Sequence, residues 1–317
     1  IRDQPRSRGL GDVYKRQARE EPIGVHRYAE RKIMIGYYYC SLNTFLNILK
    51  NKEIYLSDPL KMNDNLEIKW YLERLNEEKE SDEDYSTILQ RMRIRSGVDF
   101  TCEELAKHLE NKGQKSIYIS CFSKTSDLLS QWRAYADDGK GVAIGFDLDM
   151  LASADNILVR EIVYADDIVQ EDCESALEIV ADTMPMVLSR YEAHNREEQI
   201  DIFLHELITE LAIYKNPAFR EESEVRLIYC DDLKFEKIID EAGAFNEPYV
   251  WKKLEHDFRM VGTNNITEFV KLQYEPGCIK DICIGPKCLL SESDMRNLFQ
   301  SLLGTVPTIS YSKSSYR

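Results

Sequence analysis

The sequence predicts an α+β protein, on three observations. Segments such as "KSIYISCFS" and "GVAIGFD" alternate with a period of two and read as strands. Segments such as "DIFLHELITEL" place apolar residues three and four apart and read as helices. The two kinds follow one another without the regular strand–helix rhythm of a parallel α/β sheet. An apolar fraction of 43% beside 31% charged residues is ordinary for a globular chain of 317 residues.

The elements follow in order. "IRDQPRSRGLGDVYKRQ", residues 1–17, has no apolar period and resembles translated adaptor sequence of the kind that opens metagenomic reading frames; it is set aside as a non-native leader. Residues 18–317 then form a single α+β domain. Tyr37–Cys40 is a strand, Ser41 or Asn43 caps a helix carrying Phe45, Leu46, Ile48 and Leu49, and Ile54–Leu56 is a second strand. "KMNDNLE" is a polar loop. Residues 76–112 are strongly charged and read as an exposed helical insertion. Ser116–Phe122 is a strand, "DLLSQWRAY" a short helix, "GKG" a tight turn, and "GVAIGFD" and "ILVREIVYAD" further strands. A second helical insertion spans residues 171–214 and stops at Asn216-Pro217. "FREESEVRLIY" follows as a strand with Glu222, Glu224 and Arg226 on one face. Residues 240–265 read as mixed and loop-rich. "EFVKLQY" and "IKDICIGP" are strands, "SESDMRNLFQSLL" is a Ser-capped helix, and "TVPTISYS" closes the sheet.

A net charge of −15 argues against bulk binding to a phosphate backbone. No run of 18 apolar residues predicts a membrane span. The eight cysteines form no Cys-x-x-Cys pair; Cys278, Cys283 and Cys288 are five apart in strand-like sequence with no histidine near, so buried reduced thiols of a cytoplasmic protein are expected rather than a metal site.

Four polar groups stand out, each with a structural alternative. Tyr38 and Tyr39 either pair across strands or meet a ligand. Asn63, Asp64 and Glu67 of "NDNLE" are either a helix cap or ligands. Ser120 and Ser123 end a strand, and Trp132 and Tyr135, three apart on the next helix, suit a core as well as a ligand platform. Glu222, Glu224 and Arg226 are either the solvated face of an edge strand, an ion pair, or a site. No nucleophile elbow, Walker loop, zinc helix or dinucleotide fingerprint is present.

The ordered set "SLNTFLNILKNKEIYLSDP", "NDNLE", "YISCFS", "LLSQWRAYADDGKGVAIGFD", "FREESEVRLI", "ICIGP" and "YSKSSYR" resembles the bacterial domain of unknown function 2971, over about residues 35–317. A weaker likeness, by motif order, is to the ADP-ribosyltransferase superfamily: an aromatic or basic residue on a first strand, Ser near the end of a second, and Glu-x-Glu on a third. That likeness implies a largely antiparallel split sheet, NAD as co-substrate, no metal, and an unknown protein or nucleic-acid acceptor. It makes Glu224 and Glu222 catalytic, and Tyr38, Ser120, Ser123, Trp132, Tyr135 and Arg226 cofactor-binding. Tyr38 stands where many relatives have His or Arg. Cleaving the nicotinamide–ribose bond develops positive charge on the sugar, which a carboxylate stabilises.

Two other readings stay open. One is a non-enzymatic sensor or interaction module of phage defence or a toxin–antitoxin system. The other is a nuclease or hydrolase holding Mg²⁺ with Asp64, Glu67, Glu222 and Glu224.

Overall fold

In the computed structural model, which describes residues 33–59, 92–99, 117–154, 156–164, 170–190, 195–231, 252–261 and 265–316, the chain opens as strand, helix, strand. These are β1 (Ile35–Cys40), α1 (Leu42–Asn51) and β2 (Glu53–Ser57). Ser41 is the cap, its hydroxyl accepting from the Thr44 amide at 3.2 Å; this satisfies one of the donors that a helix start leaves open. Phe45, Ile48 and Leu49 form the buried face of α1.

Then come β3 (Ile117–Ser123), α2 (Leu129–Tyr135), β4 (Val142–Asp147), α3 (Leu148–Leu151), β5 (Ile157–Glu161) and β6 (Val163–Tyr164). The helices α4 (Gln170–Arg190) and α5 (Arg196–Leu211) occupy the second predicted insertion. The chain continues through β7 (Tyr214–Lys215), a 3₁₀ turn (Pro217–Glu222), β8 (Glu224–Cys230), β9 (Glu255–Val261), β10 (Asn265–Gln273), β11 (Ile279–Ile284), α6 (Glu292–Leu303) and β12 (Thr308–Tyr311). A capping box closes the start of α6, with Ser291 and Asp294 exchanging hydrogen bonds.

Ten strands of the described residues form one open sheet, largely antiparallel, so the fold is α+β. Its organising strand is β3. One edge of β3 pairs with β8 along its whole length, from Ile117↔Cys230 to Ser123↔Glu224. The other edge is shared: β1 meets it at Tyr37↔Ser123 and β2 at Ser57↔Ile119. From β1 a half-sheet runs outward through β4, β11 and β12; from β2 another runs through β10 and β9. Between the two registered pairs, Ser120, Cys121 and Phe122 have no partner residue in β1 or β2. The sheet splits there.

The main core lies on the side of Tyr118, Phe122, Val225, Leu227, Ile144 and Phe146, covered by Phe45 and Leu49 of α1 and Phe299 of α6. Side chains of this size each contribute roughly 1.5–3 kcal/mol when removed from water. A smaller cluster lies on the opposite side, where Trp132 of α2 packs on Tyr39, Ala143 and Cys283. The turn between α2 and β4 uses Gly139 at φ +83°, and a Cβ at Gly141 would lie 2.0 Å from the Cys40 carbonyl oxygen. Only glycine permits that approach.

Three expectations need correction. "FREESEVRLIY" is not one strand: Pro217–Glu222 is a 3₁₀ turn, Ser223 adopts the left-handed conformation at φ +46°, and β8 begins at Glu224. Nor is β8 a solvated edge, because β3 and β5 flank it and Glu224–Tyr229 are buried. The stretch read as loop-rich contains β9, which pairs with β10 from Glu255↔Lys271 to Val261↔Asn265. In addition, "ILVREIVYAD" breaks at Ile162, and β6 leaves the main sheet to pair in parallel with β7. The leader at 1–17, the "NDNLE" loop and the insertion at 76–112, apart from residues 92–99, lie outside the described residues. Cys278 and Cys283 are buried free thiols and Cys288 is half-buried.

Candidate functional site

The start of β8 is built by local chemistry. Asn216 caps the 3₁₀ turn by accepting from the Ala218 amide at 2.9 Å, and Pro217 fits the first position because it needs no amide donor there. Ser223 then reverses the backbone. Glu222 and Glu224 therefore leave the chain from different elements, yet their carboxylates converge on one ammonium. Lys215 Nζ lies 2.6 Å from Glu222 Oε2 and 2.8 Å from Glu224 Oε2. Glu224 Oε1 accepts from Arg226 Nε at 2.6 Å, and Arg226 Nη1 donates to the Ala212 carbonyl at 2.7 Å.

This cluster is deeply buried: side-chain exposure is 4% for Lys215, 3% for Glu224, 0% for Arg226 and 16% for Glu222. Two cations face two carboxylates, so the group carries no net charge. Burial opposes ionisation of Glu224, but Arg226 and Lys215 outweigh it, and a hydrogen bond with Cys121 adds to them. The carboxyl is held well below its ordinary value. Glu224 is thus a carboxylate at neutral pH.

The split in the sheet opens into a cavity of about 310 Å³. Its walls come from separate elements: Tyr37–Tyr39 of β1, Tyr55 and Ser57 of β2, Ile119–Ser123 of β3, Gln131 and Tyr135 of α2, Lys215, Phe219 and the two glutamates, and Arg259 of β9. Cross-strand pairing puts Glu224 on the side of Ser123, while Ser120 pairs with Leu227 on the side of the main core. Tyr38 packs on that core too, its ring 5.8 Å from Phe122. Tyr38 and Ser120 therefore reach the cavity from one side of the sheet and Glu224 from the other. They meet because the strands part.

The predicted residues fall into two groups. Tyr38, Ser120, Ser123, Tyr135, Glu222 and Glu224 line the cavity. Ser120 is 3% exposed, and its hydroxyl has no hydrogen-bond partner among the described residues. Ser123 uses its hydroxyl locally, donating to the Glu222 carbonyl at 2.9 Å. Tyr135 donates to Glu222 Oε1 at 3.3 Å. Burial pushes the Tyr38 hydroxyl up to about 12, so it is a neutral donor. Trp132 and Arg226 are not in the cavity wall. Trp132 is fully buried, edge-on to Tyr39 at 4.7 Å, with its indole N–H donating to Asp127 at 2.7 Å. It packs into the cluster of Tyr39, Ala143 and Cys283 behind the cavity wall rather than offering a platform for a ligand. Arg226 is the buried counter-ion of Glu224. Asn63, Asp64 and Glu67 lie outside the described residues, and among those described no group of three or more His, Cys, Asp or Glu side chains is placed to hold a metal ion.

Lys215 and Arg259 escaped the sequence reading. Lys215 had one signal: it closes the apolar run "LAIY" just before Asn-Pro, where a charge needs a reason. Arg259 had none, because its strand was read as loop.

Residues 131–227 match the model of the family described as Protein of unknown function (DUF2971). The match runs from α2 into β8 and includes Tyr135, Lys215, Glu222 and Glu224, and it bears out the resemblance to that family. No curated protein and no solved structure matches the chain. No helix of the described residues is long and apolar enough to cross a membrane.

Proposed function

We propose that the cavity binds NAD by its nicotinamide–ribose end and that the protein cleaves the bond between them, passing ADP-ribose to an acceptor or to water. One observation carries this reading. Tyr38, Ser120 and Glu224, on three strands far apart in sequence, line a single cavity at the split of a largely antiparallel sheet. The sheet order β8–β3–β1 sets the three strands side by side at the split, and the likeness to ADP-ribosyltransferases implies a split sheet with one motif on each of three strands.

The chemistry follows from the geometry. Aromatic rings of Tyr38, Tyr55, Phe122 and Phe219 give an apolar wall for a planar base, and a cavity of about 310 Å³ is at the lower end for a small-molecule site. Glu224, already ionised and fixed by Arg226 and Lys215, faces the positive charge that grows on the ribose as nicotinamide leaves. Its lone pairs not taken by those cations accept from the sugar hydroxyls. Glu222, nearer the mouth and touching Tyr135, orients the attacking nucleophile and takes its proton. The Ser120 hydroxyl, unpartnered among the described residues, gains a partner.

A second reading has one observation in its favour: each oxygen of Glu224 already meets a cation, which suits a structural carboxylate in a module that binds a nucleotide without cleaving it. The test is chromatography of NAD incubated with the full chain. Free nicotinamide that increases with protein concentration is the expected result. Binding of NAD without release favours the sensor, and neither binding nor release overturns the assignment of the cavity.

A further inference from the structure

Arg259 enters the cavity from the half-sheet opposite Glu224. It is rooted on β9, opposite Thr267 of β10, and its guanidinium reaches back across the sheet. The guanidinium carbon lies 5.7 Å from the centre of the Phe269 ring, and Nη2 donates to Ser57 Oγ at 2.7 Å. Stacking and one hydrogen bond hold the group in place while leaving most of its donors available. Among the described residues no carboxylate lies within ion-pair distance of it. The acidic residues beside it on β9 are engaged elsewhere: Glu255 and Asp257 take Lys271 at 3.0 and 2.7 Å.

The cavity is therefore polarised. At one end two carboxylates are balanced by two cations; at the other stands a planar cation with no counter-ion among the described residues. Ser57, which holds Arg259, is on β2, and Glu224 is on β8, with β3 between them. Two strand spacings across β3 and the four residues from Ile119 to Ser123 along it put the Ser57 and Glu224 backbones roughly 16 Å apart. The Ser57–Arg259 contact and the Glu224 side chain take up part of that length, and a ribose bearing a phosphate, with a hydrogen bond at each end, spans the rest. The buried Ser120 hydroxyl, unpartnered among the described residues, reaches the same cavity from the other side of the sheet, at a position on β3 between Ile119 and Ser123.

We propose that Arg259 is the phosphate-binding residue of the cavity, so that the site selects phosphorylated ribosides over free nucleosides. The proposal rests on the cavity being the sugar-binding site described above. A guanidinium pairs with phosphate through two parallel N–H donors, a geometry that an amide does not reproduce.

The experiment is calorimetric titration of the full chain with nicotinamide riboside and with nicotinamide mononucleotide, for wild type and Arg259→Gln, with unfolding midpoints recorded for both proteins. The expected result is that wild type binds the mononucleotide about tenfold or more tightly than the riboside. Arg259→Gln should bring the mononucleotide down to the riboside's affinity and leave the riboside unchanged. Equal binding of the two ligands by wild type, or a preference that survives in Arg259→Gln, overturns the role of Arg259 while the cavity assignment stands. Binding of neither ligand by wild type overturns both. Arg259 is exposed, so the variant folds and its midpoint stays close to that of wild type.

Discussion

Glu224→Gln is expected to lower stability by about 3–5 kcal/mol, because it strands two buried cations on a single remaining carboxylate. Urea unfolding measures this. The variant also loses the carboxylate that faces the reacting sugar, so NAD cleavage should fall by about 10²–10³-fold even after correction for the folded fraction. Acid sensitivity has a defined sign. The folded-state value of Glu224 is depressed below its ordinary 4.5, so its contribution to stability is complete above pH 4.5 and is lost as pH falls through the folded value. Wild type should therefore lose stability below pH 4.5 more steeply than Glu224→Gln, which has already lost that contribution. Parallel acid limbs for the two proteins contradict the buried ion cluster.

Lys215→Met is expected to have the second-largest effect, about 3 kcal/mol, because Glu222 and Glu224 would then share Arg226 as their nearest buried cation. The useful variant is the double one. Removing Glu222 together with Lys215 restores the balance of one cation to one carboxylate, so Lys215→Met with Glu222→Gln should be more stable than the sum of the single losses allows. A double-mutant cycle by urea unfolding should give a coupling of about 0.5–3 kcal/mol. Additive losses mean that the ammonium does not hold the two carboxylates together.

Much of the fold was legible because short-range rules operated cleanly. The period of two in β3 and β4, the Ser41 and Ser291 caps and the glycine-bearing turn before β4 depend on neighbours within a few residues. The site was legible in part. Glu222 and Glu224 were found for a reason the structure revises: they do not share a strand face, and it is the left-handed Ser223 and the ammonium of Lys215 that bring them together. Trp132 differs from Tyr135 on the same helix because three-residue spacing does not say which of the two turns inward to Tyr39 and which meets the cavity. Arg259 was invisible because its partners, Ser57 and Phe269, sit on other strands, and only sheet order brings them near. Pairing across distant strands is the level of organisation that local periodicity does not encode.

Ser120 gives the most direct test of a ligand site at the sheet split. Its hydroxyl is buried and unpartnered among the described residues, so Ser120→Ala should leave the free protein as stable as wild type or slightly more so. A bound sugar that supplies the missing partner reverses the sign for binding: NAD affinity of Ser120→Ala, measured by calorimetry, should fall by about 2–10-fold. Stability kept and affinity lost is the predicted result. Unchanged NAD affinity in a variant with unchanged stability contradicts a nucleotide site between Tyr38 and Glu224.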